Sequence, residues 1–230
     1  RLKAAKVKEA NWLESTVFLN RGNRFEANAL PVEAQMAPAF GVAVGDFDGD
    51  GNEDIFLSQN FFATQVETPR YDAGRGLWLK GDGHGGFESV PGQVSGVKVY
   101  GEQRGCALCD FDKDGRVDLA VAQNGAATKL YRNERGKSGL LVRLKGGPGN
   151  PAGVGAMLRL IGNGQPGPGR EIHAGSGYWS QDSAAQVMAA PHLPQQIWVR
   201  WPGGKTSTTA IPQGAKEIAI DQAGKTQVLR

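Results

Sequence analysis

The chain spells one nine-residue segment twice. Asp46-Phe47-Asp48-Gly49-Asp50-Gly51-Asn52-Glu53-Asp54 and Asp110-Phe111-Asp112-Lys113-Asp114-Gly115-Arg116-Val117-Asp118 both fit D-F-D-x-D-G-x-x-D, and both run into a short apolar stretch, Ile55-Phe56-Leu57 and Leu119-Ala120-Val121. Carboxylates at alternating positions, with a glycine allowing a sharp turn after the third, converge on one point. Three or four like charges held there repel unless a cation sits among them, and hard oxygen ligands select a hard ion, calcium being the natural one. The spacing opens like a helix-loop-helix calcium loop, which closes with a bidentate Glu at position twelve. Position twelve here is Leu57 or Val121, so a shorter loop is expected, closed by the aspartate at position nine. The expected ligands of the first site are the side chains of Asp46, Asp48, Asp50 and Asp54 with the Asn52 carbonyl. Those of the second are Asp110, Asp112, Asp114 and Asp118 with the Arg116 carbonyl. Duplication in one local context argues against a pair of ordinary acidic surface turns.

The two loops start 64 residues apart, and their surroundings repeat with them. Val17-Phe18-Leu19-Asn20-Arg21-Gly22-Asn23-Arg24-Phe25 precedes the first, and Leu77-Trp78-Leu79-Lys80-Gly81 through Phe87 precedes the second. Lys129-Leu130-Tyr131-Arg132-Asn133 then begins the pattern again. Each unit reads as an apolar strand, a Gly/Asn turn, a Phe-containing strand, a variable stretch, and a strand such as Phe40-Gly41-Val42-Ala43-Val44 leading into the acidic loop. With 34 Gly and 12 Pro in 230 residues, short strands are favoured over long helices. A period near 60 residues built of short strands points to propeller blades or a related β array. The expected class is therefore all-β, with incomplete β-propeller-type blades followed by a small, sandwich-like β domain. The expected organisation is a basic leader over residues 1–11, calcium-binding repeats over 12–137 and a C-terminal β domain over 138–230. Two full units fall short of the roughly four to eight blades of a closed propeller, so open edges are expected that further blades or another chain would cover.

This pattern resembles the FG-GAP or VCBS repeat family, whose blades carry calcium in D-x-D-x-D-G-x-x-D loops; the resemblance covers about residues 12 to 135. From Leu140 the texture changes. Asn150-Pro151-Ala152-Gly153-Val154-Gly155-Ala156, Arg170-Glu171-Ile172-His173-Ala174-Gly175-Ser176-Gly177-Tyr178-Trp179-Ser180-Gln181 and Val199-Arg200-Trp201-Pro202-Gly203-Gly204-Lys205 look like the ASPIC/UnbV domain. That domain follows FG-GAP repeats in bacterial secreted proteins and in the animal cartilage acidic protein family. The resemblance implies architecture rather than chemistry. One stretch departs from it: Val187-Met188-Ala189-Ala190-Pro191 stands where that family has a Phe-Gly-Leu-Gly-like turn.

Several function classes are disfavoured. The net charge is +3, unevenly placed: residues 1–139 hold 17 Lys/Arg against 19 Asp/Glu, residues 140–230 hold 9 against 4, and no nucleic-acid motif accompanies them. Arg1, Lys3, Lys6 and Lys8 read as a solvated terminus. No stretch reaches the roughly 18 to 20 apolar residues of a membrane span, and the start, Arg rather than Met without an apolar signal core, suggests a mature, trimmed or partial product. Cys106 and Cys109 lack the His that a c-type haem site needs after the second Cys and lie on an expected strand, so they read as two small buried thiols. His173, Ser176, Ser180 and Asp182 lie close in sequence, but Gly175-Ser176-Gly177 lacks the G-x-S-x-G elbow of a hydrolase, and catalysis is not expected. His84 and His192 read as turn and loop residues. Trp198 and Trp201, three apart, point to opposite faces, so at most one is core; Tyr178-Trp179 is the exposed aromatic candidate for ligand or partner contact.

The sequence thus leads to the expectation of a calcium-binding, extracytoplasmic binding or assembly module with two Ca2+ sites. It would engage a protein or glycan partner, within a larger complex where blade edges stay open, and neither nucleic acid nor a membrane span is expected. The alternative is a calcium-dependent carbohydrate-active enzyme, a polysaccharide lyase or hydrolase, or an accessory subunit of one.

Overall fold

The computed structural model describes Lys6, residues 8–189 and residues 194–230. Arg1 and Lys3 of the basic run, His192, and Ala190-Pro191 lie outside the described residues. The fold is all-β, in a propeller-like arrangement of small sheets. Strands β1 (Thr16–Asn20) and β2 (Phe25–Ala29) form a two-stranded hairpin. Strands β3 (Ala39–Gly45), β4 (Asp54–Gln59), β5 (Leu77–Gly81) and β6 (Phe87–Val90) form a four-stranded antiparallel meander. A one-turn helix, Gly92–Ser95, leads on to β7 (Glu102–Cys109), β8 (Asp118–Asn124) and β9 (Ala126–Tyr131), a three-stranded antiparallel sheet. Each acidic nonapeptide is the connection between the first two strands of its sheet.

The sheets stack face to face, and the sequence shows why. All six residues of β4 are buried, because both faces are covered. Phe56 turns toward a core shared with Cys106, Leu108, Leu119 and Val121 of the three-stranded sheet. Ile55 and Leu57 turn the other way, to Leu77 and Leu79 of β5 and to Val17 of the β1–β2 hairpin. A continuous apolar run of strand length is the signature of a strand buried on both sides. The repeat extends to the register: Val42 pairs with Leu57 and Gly45 with Asp54, while Cys106 pairs with Val121 and Cys109 with Asp118, all 64 positions on.

Nine strands follow among the described residues: β10 (Leu140–Lys145), β11 (Met157–Gly162), β12 (Gln165–Pro166), β13 (Arg170–Glu171), β14 (Gln186–Met188), β15 (Gln196–Arg200), β16 (Thr206–Ala210), β17 (Glu217–Asp221) and β18 (Thr226–Val228). One sheet runs β14-β10-β17-β18, with β10 and β17 parallel; the other runs β12-β11-β15-β16, with β13 also paired to β11. Leu140, Val142, Leu144, Ile218 and Ile220 of the first face Leu158, Leu160, Ile197 and Val199 of the second, which makes the sandwich core. Trp201 joins that core at 3% exposure, while Trp198 is only partly buried, as their spacing requires.

The segment between β13 and β14 leaves the sandwich and runs along β7. Leu108 N donates to Asp182 Oδ1 at 2.7 Å, and Ser183 N donates to Leu108 O at 2.8 Å. Two repeat-equivalent glycines record what this does. A Cβ on Gly41 would stand 2.6 Å from Arg104 O of β7, and one on Gly105 would stand 2.7 Å from Tyr178 O. Residues 176–183 thus take, against β7, the place that β7 takes against β3. Blade edges were expected to stay open to further blades or another chain; along β7 the chain's own C-terminal segment makes contacts of this kind.

Candidate metal centres

Both acidic loops are built by the same local bonding. Asp46 accepts Gly49 N and Asp50 N on Oδ1 and Gly51 N on Oδ2, at 2.7 to 3.1 Å. Asp110 accepts Asp114 N and Gly115 N, both at 3.0 Å. The glycines after the third aspartate have φ of 95° at Gly51 and 85° at Gly115, a conformation that a side chain resists. The turn so formed brings carboxylate oxygens of Asp46, Asp48 and Asp50 within 4.8 Å of one another, and likewise those of Asp110, Asp112 and Asp118.

The two trios are not the full sets read from the sequence. Asp54 is fully buried, but its oxygens accept Phe47 N and Gly81 N at 2.9 Å, and it lies outside the first trio. Its counterpart Asp118 makes the same bonds, to Phe111 N at 3.0 Å and Asn133 N at 2.7 Å, and does belong to the second trio. Asp114 lies outside the second trio and pairs instead with Arg116 Nη1 at 2.7 Å. Asn52 and Arg116, whose carbonyls were expected as ligands, sit in the turns. Asn52 N donates to Asp50 Oδ1, and the Arg116 side chain reaches Gly136 O at 2.6 Å.

One cation faces each loop from the third strand of its sheet. Lys80 at the end of β5 pairs with Asp48 and, at 2.9 Å, with Asp50; Arg132, just after β9, pairs with Asp112 at 2.5 Å and Asp114 at 3.7 Å. Neither was read as part of a site from the sequence. The signal was present, since Leu79-Lys80 and Tyr131-Arg132 hold the same place in the repeat, where the first unit has Asn20. These cations leave each loop short of neutrality: four carboxylates face one ammonium in the first loop, and four face two guanidinium groups in the second. Burial accordingly pushes the carboxyls of Asp46 and Asp118 up, and Asp54 to about 6. Burial works the same way on Asp50, but hydrogen bonds from Lys80 and Asn52 prevail and hold it below the usual range. Convergent hard oxygens with residual negative charge fit a divalent oxygen-seeking cation.

The loops are also fastened to the rest of the chain. In the first, Lys137 N donates to Asp48 O at 3.0 Å, Asn133 Nδ2 donates to Phe47 O at 2.7 Å, and Glu53 takes a two-pronged ion pair from Arg170 of β13, at 2.8 and 2.9 Å. In the second, Gly139 N donates to Gly115 O at 2.8 Å, Ser138 Oγ donates to Asp114 O at 3.0 Å, and the Arg230 guanidinium donates to Lys113 O. The acidic loops therefore lie on the seam between the repeats and the C-terminal sandwich. Sequence reading missed Glu53 and Arg170 in this role, because 117 positions separate them.

The remaining sequence candidates are placed plainly. Cys106 is buried and Cys109 half-buried; both are free. Burial pushes the Cys106 thiol to about 11. His84 is exposed in the β5–β6 turn. Tyr178 and Trp179 are 42% and 93% exposed, and Tyr178 packs edge-on against Phe40. Among the described residues, no helix is long and apolar enough to cross a membrane. No curated protein matches the chain. The repeat resemblance of the first half rests on the two loops and their shared register, whereas residues 146–227, from just after β10 through most of β18, match the family model described as ASPIC and UnbV.

Proposed function

We propose that this chain is a calcium-stiffened, non-catalytic binding or assembly module that works outside the cytoplasm and engages a protein or glycan partner. The observation that carries this reading is the duplicated convergent carboxylate trio on the seam between the two halves of the chain. Asp46, Asp48 and Asp50 would hold one calcium ion, and Asp110, Asp112 and Asp118 the other. A bound ion supplies charge neutralisation and fixes the loop. The chain's own groups do the rest. Backbone N–H groups orient Asp46, Asp54, Asp110 and Asp118, while the Glu53–Arg170 pair and the contacts of residues 133–139 carry loop order to the sandwich. Calcium abundant outside the cell would thus make the two halves one rigid surface, and the exposed Tyr178-Trp179 pair lies on that surface.

Thermal unfolding in EDTA and in millimolar calcium tests this, alongside the mass in solution. A site held at about 100 times its dissociation constant adds roughly 2.7 kcal/mol of stability, so two sites raise the melting temperature by many degrees. The Asp48→Ala, Asp112→Ala double variant should lose that rise. An equal melting temperature in EDTA and calcium would overturn the reading.

A further inference from the structure

Between the repeats and the sandwich lies an open cavity of about 540 Å³ that the metal centres do not use. That volume is in the range of small-molecule sites. One wall is apolar, formed by Val42 and Val44 of β3 with Leu108, Val117 and Val187. Val42 and Val44 are 47% and 49% exposed, on the face of β3 opposite the buried Ala43. Strand alternation should make that face polar, and two β-branched side chains there call for an apolar cover.

The facing wall is charged. Arg170 is already committed to both oxygens of Glu53. Among the described residues, Glu171 has His173, at 3.8 Å, as its one salt-bridge partner. Asp182 has no salt-bridge partner among the described residues; Leu108 N binds one of its oxygens, and burial pushes its carboxyl up. Next to it, the Ser176 hydroxyl lines the cavity within hydrogen-bonding reach of the Asp182 carboxylate. The cavity thus offers carboxylates and a hydroxyl beside an apolar wall. These carboxylates do not converge, because the clusters able to hold a metal among the described residues are those of the two loops. The complement is therefore an extended cation rather than a point charge.

We propose that this cavity binds a small aliphatic amine. One ammonium group, which has three donors and no acceptor, would bind Asp182 and the Ser176 oxygen; its hydrocarbon chain would lie along Val42 and Val44, with Glu171 in reach of a second ammonium. The site does not depend on the loop metal, and working in saturating calcium keeps amines from competing for the acidic loops.

The test is a titration of the calcium-loaded chain with 1,4-diaminobutane at low ionic strength, followed by calorimetry and amide NMR, with 1,4-butanediol as the neutral counterpart. Saturable binding is expected, with shifts at the Leu108 and Ser183 amides and no response to the diol. Asp182→Asn should weaken binding at least tenfold. Glu171→Gln, at an exposed position that leaves the fold intact, should do so severalfold. Equal response to the diol, shifts confined to residues 46–54 and 110–118, or wild-type affinity in both variants would overturn the proposal.

Discussion

Gly49 and Lys113 hold the same place in the two loops, and both have a left-handed backbone, with φ of 73° and 62°. For lysine that conformation costs roughly 1 to 2 kcal/mol, partly offset by the lower freedom of its unfolded chain. Lys113→Gly should therefore stabilise the chain by about 0.5 kcal/mol in urea denaturation. Gly49→Ala should cost at least 2 kcal/mol, near the upper end of ordinary single-substitution effects, because a Cβ there would also stand 2.6 Å from Lys137 O. Equal effects at the two positions would contradict the close approach of residue 137. The spacing D-x-D-x-D-G predicted the turn, but sequence cannot show that the backbone of residue 137 closes on Gly49. Cys106 gives a second test at this scale. Burial pushes its thiol from the ordinary value near 9 up to about 11 in the folded chain. Folding thus favours the protonated thiol, so the stability it contributes is complete below pH 9 and is lost as pH rises through 11. The loss is about 3 kcal/mol. Cys106→Ala should flatten the stability curve between pH 9 and 11 relative to wild type. An unchanged slope would mean that the thiol is not buried in the folded chain.

Strands and their order were readable because the repeat supplies two copies of each clue. Leu77-Trp78-Leu79 and Lys129-Leu130-Tyr131 became β5 and β9, and even the 64-residue offset of β3–β4 and β7–β8 pairing follows from aligning the loops. The crossing of residues 172–185 onto β7 left no local trace. Its determinants are Gly105, which lets two backbones meet, and Asp182, which accepts Leu108 N; neither differs in sequence from an ordinary turn residue. The Glu53–Arg170 pair is of the same kind. Arg170 is 13% exposed at its side chain, and burial pushes the Glu53 carboxyl up even beside that guanidinium. Arg170→Ala strands the carboxylate and should cost about 3 kcal/mol, in the range for breaking one side of a buried ion pair. Combining it with Glu53→Gln should restore part of that loss. Full additivity in a double-mutant cycle would show that the two side chains do not pair in solution.

At the scale of the whole molecule, the question is whether the repeats and the sandwich unfold as one body. Each half has its own core, one around Phe56 and Val121 and the other around Leu158 and Ile218. Cooperativity between such cores depends on the strength of the seam. Here the seam consists of the acidic loops, their contacts to residues 133–139, the Glu53–Arg170 pair and the residue 176–183 segment on β7. Most of those contacts begin in loops whose carboxylates repel one another without a divalent cation. Loop order and domain coupling should therefore rise and fall together. In millimolar calcium, scanning calorimetry should give one transition whose calorimetric and van't Hoff enthalpies agree. In EDTA the repeats should melt first, leaving a separate, higher transition of the sandwich, because the core around Leu158 and Ile218 contains none of the acidic loops. Arg170→Ala in calcium should widen the transition toward that two-step profile. A single transition at the same temperature with and without calcium would place the coupling in contacts that need no cation, the Glu53–Arg170 pair and the residue 176–183 segment, and Gly105→Ala, which drives that segment from β7, would then loosen the two halves.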